Sequence, residues 1–302
     1  MAQPALKPGQ SLILHPRYDV RNRKVWPSTE HGRLSGCQVA RLFFCFLFVR
    51  QWQENYYFCN MITRNGMKNE NGEAVVTLNN VTIGYDRHHV REHLSLALQK
   101  GKLTCLTGAN GVGKSTLMRT LAGFLPPRGG CVRLLGREVQ EWSPQALSER
   151  VAVVLTERPT MGFLRVQEVV AMGRAPYTGL FGRLQESDHR AVEDAMALME
   201  VTPLAFRRMN SLSDGERQKV MVAMALARQT PVLLLDEPTA FLDHDSKVAL
   251  MKRLRKVAHE QGVTVLMSTH DLELAAALAD RVVVLSASGL HEGLPAAQFM
   301  KY

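Results

Sequence analysis

Nine consecutive residues carry the clearest chemistry in the chain, and they are Gly108, Ala109, Asn110, Gly111, Val112, Gly113, Lys114, Ser115 and Thr116. They fit the pattern Gly-x-x-x-x-Gly-Lys-[Ser/Thr] without a mismatch. In such a loop, backbone N–H groups surround phosphate oxygens at the positive end of a helix dipole. Lys114 is expected to reach the β- and γ-phosphates, and the Ser115 hydroxyl to hold Mg²⁺. The motif predicts a nucleotide, and a chance match in a flexible loop is the alternative.

A pair of acidic residues, Asp236 and Glu237, follows a short apolar run over residues 232–235. The carboxyl end of a buried strand is where open α/β sheets bind their ligands. Asp236 could hold Mg²⁺ opposite Ser115, and Glu237 could polarise a water for attack on the γ-phosphate. A solvated strand end before a proline turn is the alternative, and the phosphate loop argues against it.

A third candidate segment, residues 210–218, precedes a predicted helix over residues 219–228. Ser213 and Gly215 could form a second anion site from backbone amides and the helix dipole. In the alternative, Ser213 is an ordinary N-cap and Glu216 completes a capping box. The two interpretations are compatible.

Two single residues complete the candidate site. His270 follows the apolar run 263–267 and could contact the γ-phosphate, although a lone histidine there is more often a capping or surface residue. Its place 34 residues after Asp236 favours the first interpretation. Tyr85, 29 residues before Lys114, could stack on an adenine or simply pack at the rim.

The elements that must position these residues alternate between strands and helices. Apolar runs predict strands over residues 74–78, 81–85, 94–98 (an edge strand), 151–155, 232–235, 263–267 and 282–285. Periodic segments predict helices over residues 117–124, from 187 onward and over 246–260. This order predicts an α/β fold with a mostly parallel sheet covered by helices and an antiparallel portion from the early strands.

The charge of the chain is unevenly distributed. Of the net +9, residues 1–70 contribute +6, because they hold ten Lys and Arg against four Asp and Glu, and the other 232 residues carry only +3. The charge therefore does not support a nucleic-acid partner.

Residues 1–70 lack a sustained hydrophobic periodicity and are predicted to be an N-terminal extension, either disordered or added by a start codon placed too early. A basic arm that contacts a membrane or a partner is the alternative.

The cysteines and apolar runs bear on the compartment. Five cysteines without metal-ligand spacing indicate free thiols in a reducing cytosol. The longest apolar run, residues 42–49, is far shorter than a membrane-spanning helix. It could mimic a secretion signal, but it begins some forty residues in and no small-residue cleavage site follows it.

Together these motifs resemble the ATP-binding subunit of an ABC (ATP-binding cassette) transporter over about residues 74–294. Residues 108–116 resemble Walker A, 233–237 Walker B, 212–216 the signature motif and 241–243 the D-loop. His270 is similar to the switch histidine, and Tyr85 to the adenine-stacking aromatic. The resemblance implies a P-loop ABC ATPase domain over residues 71–302, with a small α-helical subdomain over about residues 142–209.

The resemblance also implies a mechanism. Two copies form a homodimer around two ATP molecules, each lying between one copy's Walker A and the other copy's Ser213, Gly215 and Glu216. Lys114, Glu237 and His270 are the implied catalytic residues, with Glu237 as the general base. Hydrolysis drives two copies of a separate membrane permease and, indirectly, a substrate-binding protein. The subunit is then peripheral, on the cytoplasmic face of the bacterial inner membrane.

The chain departs from the family pattern at three places. Asp214 and Glu216 stand where the signature has Gly and Gln, and Asp214 is expected to point outward. The Gln that usually follows the strand after Walker A is replaced by Thr156 and Glu157. Either could bind the metal's water, so Glu157 joins Ser115 and Asp236 as a candidate at the metal.

Residues 166–184 are similar to the importers of ferric siderophores, haem and cobalamin, which share a Gly-Arg-x-Pro-Tyr run. In those proteins this subdomain receives the permease's coupling helix. The residues expected to be half-exposed for that purpose, or else to form subdomain core, are Phe163, Leu164, Pro176, Tyr177, Leu180 and Phe181.

The alternative function is a soluble ABC ATPase acting on ribosomes or DNA, but such proteins usually have two cassettes or a long coiled coil. A P-loop kinase or GTPase would have no use for the signature.

Overall fold

A six-stranded sheet forms the centre of the protein in the computed structural model, which describes residues 73–85, 88–156, 161–179 and 182–292. Its strand order is β10-β9-β3-β8-β7-β6, and all neighbours are parallel except β10, which pairs antiparallel with β9. The strands are β3 (Leu103–Thr107), β6 (Val151–Val154), β7 (Val232–Leu235), β8 (Thr264–Ser268), β9 (Arg281–Ser286) and β10 (Gly289–Glu292).

A second, antiparallel sheet has the order β2-β1-β4-β5, which places β2 at an edge as predicted. Its strands are β1 (Ala74–Tyr85), β2 (His88–Gln99), β4 (Gly129–Leu134) and β5 (Arg137–Glu138). The prediction of two strands over residues 74–78 and 81–85 was wrong, because β1 is continuous. The register shifts between Leu78 and Val81, where Asn80 has φ 49°, so a bulge accommodates the polar interruption without ending the strand.

Seven helices connect the strands in the described part of the chain. They are α1 (Lys114–Leu121), α2 (Pro144–Ser148), α3 (Val166–Ala171), α4 (Glu186–Leu198), α5 (Asp214–Ala227), α6 (His244–Gln261) and α7 (Leu272–Leu278). The inward faces of α4 and α6 are formed by buried apolar side chains: Val192, Ala195, Met196, Leu250, Leu254, Val257 and Ala258. None of these helices combines the length and apolar character that a bilayer crossing requires.

Both faces of the parallel sheet are buried. In β7, Val232 and Leu234 pack with α1 and the antiparallel sheet, whereas Leu233 and Leu235 pack with helices α3 to α6. This two-sided burial explains the continuous apolar runs in the sequence and confirms the predicted α/β fold class. Because β3, β8, β7 and β6 are parallel, their carboxyl ends meet at one edge.

The segment Met172–Tyr177, a 3₁₀ helix, is held tightly against α5. The buried guanidinium of Arg174 donates from Nε to Asp188 Oδ1 (2.8 Å) and from Nη1 to the Ala227 carbonyl (3.0 Å) at the end of α5. Burial alone would raise the pKa of Asp188, but the Gln185 backbone N–H and Arg174 outweigh it and hold that pKa below its usual value. The Gly-Arg-x-Pro-Tyr run is therefore fixed to the C-terminal end of α5.

Gly173 lies where this segment and α5 meet backbone to backbone. A Cβ there would come within 2.1 Å of the Met224 carbonyl oxygen. We expect Gly173→Ala to lower the free energy of unfolding by about 1–3 kcal/mol, because the segment must move away from α5. Urea unfolding measures this, with Gly129→Ala as the control, since a Cβ at Gly129 meets nothing closer than 3.5 Å. Equal stability of the two variants would contradict the close packing.

Candidate nucleotide site

The phosphate loop connects β3 to α1, as its motif predicts. Gly108 has φ 145°, and a Cβ there would lie 2.3 Å from the Leu285 carbonyl oxygen, so only glycine fits. The Leu117 N–H donates to the Gly113 carbonyl four residues earlier (2.8 Å), and this is the first helical backbone hydrogen bond of α1. Within the described residues no backbone carbonyl accepts from the N–H groups of residues 114–116, so these donors are available to an anion.

Lys114 is only 5% exposed and lies inside the curve of the loop. Its Nζ donates to the carbonyl oxygens of Gly108 (2.9 Å) and Ala109 (3.1 Å). Burial lowers the pKa of this ammonium, and the negative charges of Glu237 and Asp236 partly offset the effect. These two acidic residues, predicted to belong to the same site, are thus electrostatically coupled to the loop lysine.

Asp236 follows β7 and is 2% exposed. Its Oδ1 accepts from the Ser268 hydroxyl (2.7 Å) at the end of β8, and its Oδ2 accepts from the Thr156 hydroxyl (2.9 Å) after β6. The carboxylate is therefore fixed by one hydroxyl from each neighbouring strand. Both oxygens keep further lone pairs for a ligand.

Ser268 is a site residue that the sequence analysis did not single out. Besides donating to Asp236, its oxygen accepts from the Glu237 backbone N–H (2.7 Å). The sequence feature that could have pointed to Ser268 is its position directly before the Thr269-His270-Asp271 run. That signal becomes specific only once β8 is known to lie beside β7.

Glu237 and His270 meet across the ends of β7 and β8. His270 Nε2 lies 2.6 Å from Glu237 Oε1, and both side chains are partly exposed. Glu237 has φ 51°, a left-handed conformation that is unfavourable for a residue with a side chain. Such strain concentrates at functional sites, where surrounding contacts maintain it. Here the Ser268 contact to the Glu237 N–H is one of them.

Tyr85 ends β1 beside the start of α1. Its hydroxyl accepts from Arg119 Nη1 (3.2 Å) and from the Thr116 hydroxyl (3.5 Å), while 39% of the residue is exposed. The ring is thus tethered at its hydroxyl end next to the phosphate loop. Arg119, which the sequence analysis did not identify, supplies one tether, and the predicted stacking role stays a prediction.

The signature residues begin α5, and Ser213 and Glu216 bond to each other there. Ser213 N–H donates to Glu216 Oε2 (2.8 Å) and Glu216 N–H donates to Ser213 Oγ (3.2 Å), which is a complete capping box. The Ser213 N–H bond, more than any other contact, holds the pKa of Glu216 below its usual value. The Ser213 hydroxyl acts here as an acceptor, so its own hydrogen is left for another partner.

The first turn of α5 packs against the D-loop. A Cβ on Gly215 would lie 3.1 Å from the Phe241 carbonyl oxygen and 3.2 Å from the Leu242 side chain. Asp214 Oδ1 pairs with Arg217 Nη1 (3.0 Å), and its side chain is half exposed. The Gly-to-Asp departure in the signature thus places its charge on the flank of its own helix.

The residues present fit a Mg²⁺ ion. Mg²⁺ prefers carboxylate, hydroxyl and water oxygens. Asp236 offers a positioned carboxylate, and Ser115, in the first turn of α1, offers a hydroxyl. Of the two residues that replace the usual Gln, Thr156 lies beside Asp236, whereas Glu157 lies outside the described residues.

Comparison with known proteins identifies the family. The family described as "ABC transporter" matches residues 91–240. The hemin import ATP-binding protein HmuV of Thermobifida fusca is 43% identical over 218 residues, covering 71% of this chain and 75% of the relative. The ferric enterobactin transport ATP-binding protein FepC of Escherichia coli is 37% identical over 205 residues, covering 68% and 76%.

Among solved structures, one similar chain comes from a transporter assigned to the metal-chelate type, in an inward-facing conformation. The TM-score is 0.64 at 26% identity, and the match covers 73% of this chain and 83% of the other. The fold, the order of the motifs and these relatives agree. The chain belongs to the ABC transporter ATP-binding family, whose members bind and hydrolyse ATP.

Proposed function

We propose that this chain is the ATPase subunit of an importer that moves a metal chelate through a separate membrane permease. The chelate would be of the ferric siderophore, haem or cobalamin type. The observation that carries the proposal is that two relatives above 35% identity are named for ferric enterobactin transport and hemin import. The alternative of a soluble ATPase acting on ribosomes or DNA gains no support from them.

In the proposed reaction, the loop amides and Lys114 bind the β- and γ-phosphates of ATP. Ser115 and Asp236 would hold Mg²⁺, which when bound neutralises charge on the phosphates. Glu237 accepts a proton from the attacking water, and His270, 2.6 Å from its carboxylate, orients Glu237 and contacts the γ-phosphate. Tyr85 stacks on the adenine.

The proposed active unit is a homodimer at the cytoplasmic face of the bacterial inner membrane. The capping box at the start of α5 makes its hydrogen bonds within its own turn, and it still offers a hydroxyl hydrogen and a helix N-terminus. An anion would be stabilised there. Ser213, Gly215 and Glu216 would therefore meet the γ-phosphate held by the loop of a second copy.

The proposed permease contact lies between α2 and α5, within the proposed helical subdomain at residues 142–209. Phe163 is 85% exposed, whereas Leu164 packs partly against the core and Pro176 and Tyr177 are intermediate. Leu180 and Phe181 lie outside the described residues. An aromatic side chain exposed to this degree favours a partner surface.

The proposed function can be tested with the full chain, affinity-tagged in its own host and purified with its membrane partner. In proteoliposomes we expect the partner to raise ATP hydrolysis, and we expect uptake of a ferric siderophore, haem or cobalamin to require ATP. Because we propose that the ATPase domain begins near residue 71, the same assay after deletion of residues 1–60 should give the same rates. Co-purification with ribosomes in place of a membrane protein would contradict the proposal.

Glu237→Gln tests the general base. The amide keeps the size and much of the hydrogen bonding of the carboxylate but cannot accept the proton, so we expect hydrolysis to fall about a hundredfold or more. ATP binding should persist, and size-exclusion chromatography with MgATP should show a trapped dimer. Lys114→Ala, in contrast, should weaken ATP binding itself. Normal hydrolysis by Glu237→Gln would rule out the assigned role.

Thr156→Val and Ser268→Ala test the hydroxyl support of Asp236. Each removes one donor, so we expect the Mg²⁺ concentration that half-saturates hydrolysis to rise about 10- to 100-fold. Binding of ATP in EDTA should change little, which separates metal positioning from a general loss of fold. Thr230→Val is the matched control, because this buried hydroxyl donates to the Val232 carbonyl at the far end of β7. An unchanged Mg²⁺ dependence in both test variants would contradict the role.

A further inference from the structure

The signature turn, residues 209–216, carries two acidic side chains where the family pattern has uncharged residues. Asp214 and Glu216 stand in place of Gly and Gln at the start of α5. In the proposed homodimer this turn meets the γ-phosphate held by a second copy. Like charges brought together in this way repel each other. The chain must therefore compensate the added negative charge before the two halves of the site can close.

Two arginines contact the signature turn, and each pairs with one of its acidic side chains. Arg217, on α5 itself, pairs with Asp214 through Nη1 (3.0 Å). The Nε and Nη2 atoms of Arg217 donate to the carbonyls of Met209 (3.2 Å) and Leu212 (2.8 Å). The charge of Asp214 is thus compensated within its own helix, by an arginine that also supports the turn.

Arg207 contacts Glu216 from outside the helix. Its Nη1 lies 3.5 Å from Glu216 Oε1, and its Nη2 donates to the Ser211 carbonyl. The other carboxylate oxygen, Oε2, accepts from the Ser213 backbone N–H (2.8 Å). The Ser213 N–H is the largest influence on the pKa of Glu216 and lowers it, and Arg207 acts in the same direction. The carboxylate is therefore charged at neutral pH and lies between a backbone donor and a guanidinium.

The backbone of Arg207 is fixed independently of its side chain. Its N–H donates to the Leu204 carbonyl (2.9 Å), and its carbonyl accepts from the Val166 N–H (3.0 Å) at the start of α3. A substitution that changes only the side chain leaves these two main-chain bonds in place. The effects of such a substitution therefore report on the contacts of the guanidinium, above all on the ion pair with Glu216.

We propose that Arg207 is a positioning residue for the ATP-bound homodimer, because it compensates the charge of the Glu216 carboxylate at the surface that receives the γ-phosphate. This inference rests on the proposed function, in which the signature turn of one copy faces the phosphate loop of the other. A Gln in place of Glu216 would need no such compensation. With the carboxylate paired, the Ser213 hydroxyl hydrogen and the positive end of the α5 dipole stabilise the γ-phosphate. Arg207 acts through Glu216 and Ser213.

The first experiment measures dimer formation by the full chain carrying Glu237→Gln, in which bound ATP is not consumed. Arg207→Met is added to remove the guanidinium and keep an unbranched side chain. We expect the ATP concentration that half-saturates dimer formation, followed by analytical ultracentrifugation with Mg²⁺, to rise about 10- to 30-fold. Binding of a fluorescent ATP analogue to the monomer at high dilution should not change, because the phosphate loop is intact. Arg208→Met removes the same charge from the adjacent exposed position and is the matched control, which should dimerise as the parent does.

The second experiment tests whether the charge of Glu216 is the reason for the effect. Glu216→Gln restores the uncharged residue of the family pattern and keeps an oxygen that can accept from the Ser213 N–H. In this background Arg207→Met should no longer raise the ATP concentration needed for dimer formation, because no carboxylate is left to compensate. Asp214→Asn is the comparison. Since Asp214 pairs with Arg217, the defect of Arg207→Met should persist in that background.

The outcomes separate this inference from the proposed function. If Glu237→Gln forms no dimer with MgATP, the proposed homodimer is wrong and the inference falls with it. If that variant dimerises and Arg207→Met has no effect, the inference alone is overturned. A defect that Glu216→Gln leaves unchanged would also overturn it, because Arg207 would then support the turn through the Ser211 carbonyl and not through its charge. Equal losses in Arg207→Met and Arg208→Met would contradict it as well, because the ion pair would then have no special part.

Discussion

The candidate site depends on one buried carboxyl group. Asp236 is 2% exposed, and a buried carboxyl group without hydrogen-bond donors would be costly. Its two donors, Thr156 and Ser268, come from the strands on either side of β7, so the order β6-β7-β8 is a condition for placing Asp236 at all. Ser268 extends the arrangement, because its oxygen also accepts from the Glu237 N–H. The left-handed backbone at Glu237 and its 2.6 Å contact with His270 thus follow from the same strand order that buries Asp236.

The start of the signature helix is held by contacts within its own first turn, whereas Asp236 depends on neighbouring strands. Its capping box satisfies the Ser213 and Glu216 N–H groups within one turn, so the start of α5 needs no support from the phosphate loop. A loop with unbonded amides and a helix start with a spare hydroxyl hydrogen are complementary to the same anion, but within one chain no backbone hydrogen bond among the described residues joins them. In the proposed homodimer, this is the structural reason why a second copy would supply the signature half of the site.

The sequence predicts the parts of the site that lie on continuous motifs. The phosphate loop and the Asp236-Glu237 pair depend on neighbours in the chain, and the structure has both in the predicted elements. The predicted start of the signature helix at residue 219 was wrong, because the capping box at Ser213 begins the helix at Asp214. Ser268 and Arg119 were not predicted, because their partners come from other elements and strand order is invisible in one sequence. The bulge at Asn80 was missed for a local reason. Two polar residues in an apolar run indicate a strand break, whereas pairing on both sides keeps β1 continuous. The predictions for Glu157 and for residues 1–70 concern residues outside those described.

The signature helix is tied to the exposed segment that precedes it. Residues 205–210 lead through the 3₁₀ turn Met209–Ser211 into the N-cap Ser213. The Arg207 side chain adds a second connection by its ion pair with Glu216, whose carboxylate also completes the capping box. A displacement at the exposed Phe206 would therefore act on the backbone that positions the Ser213 hydroxyl. A contact at this surface and closure on the γ-phosphate would then share one short segment, and such shared residues are the physical basis on which two sites can be coupled.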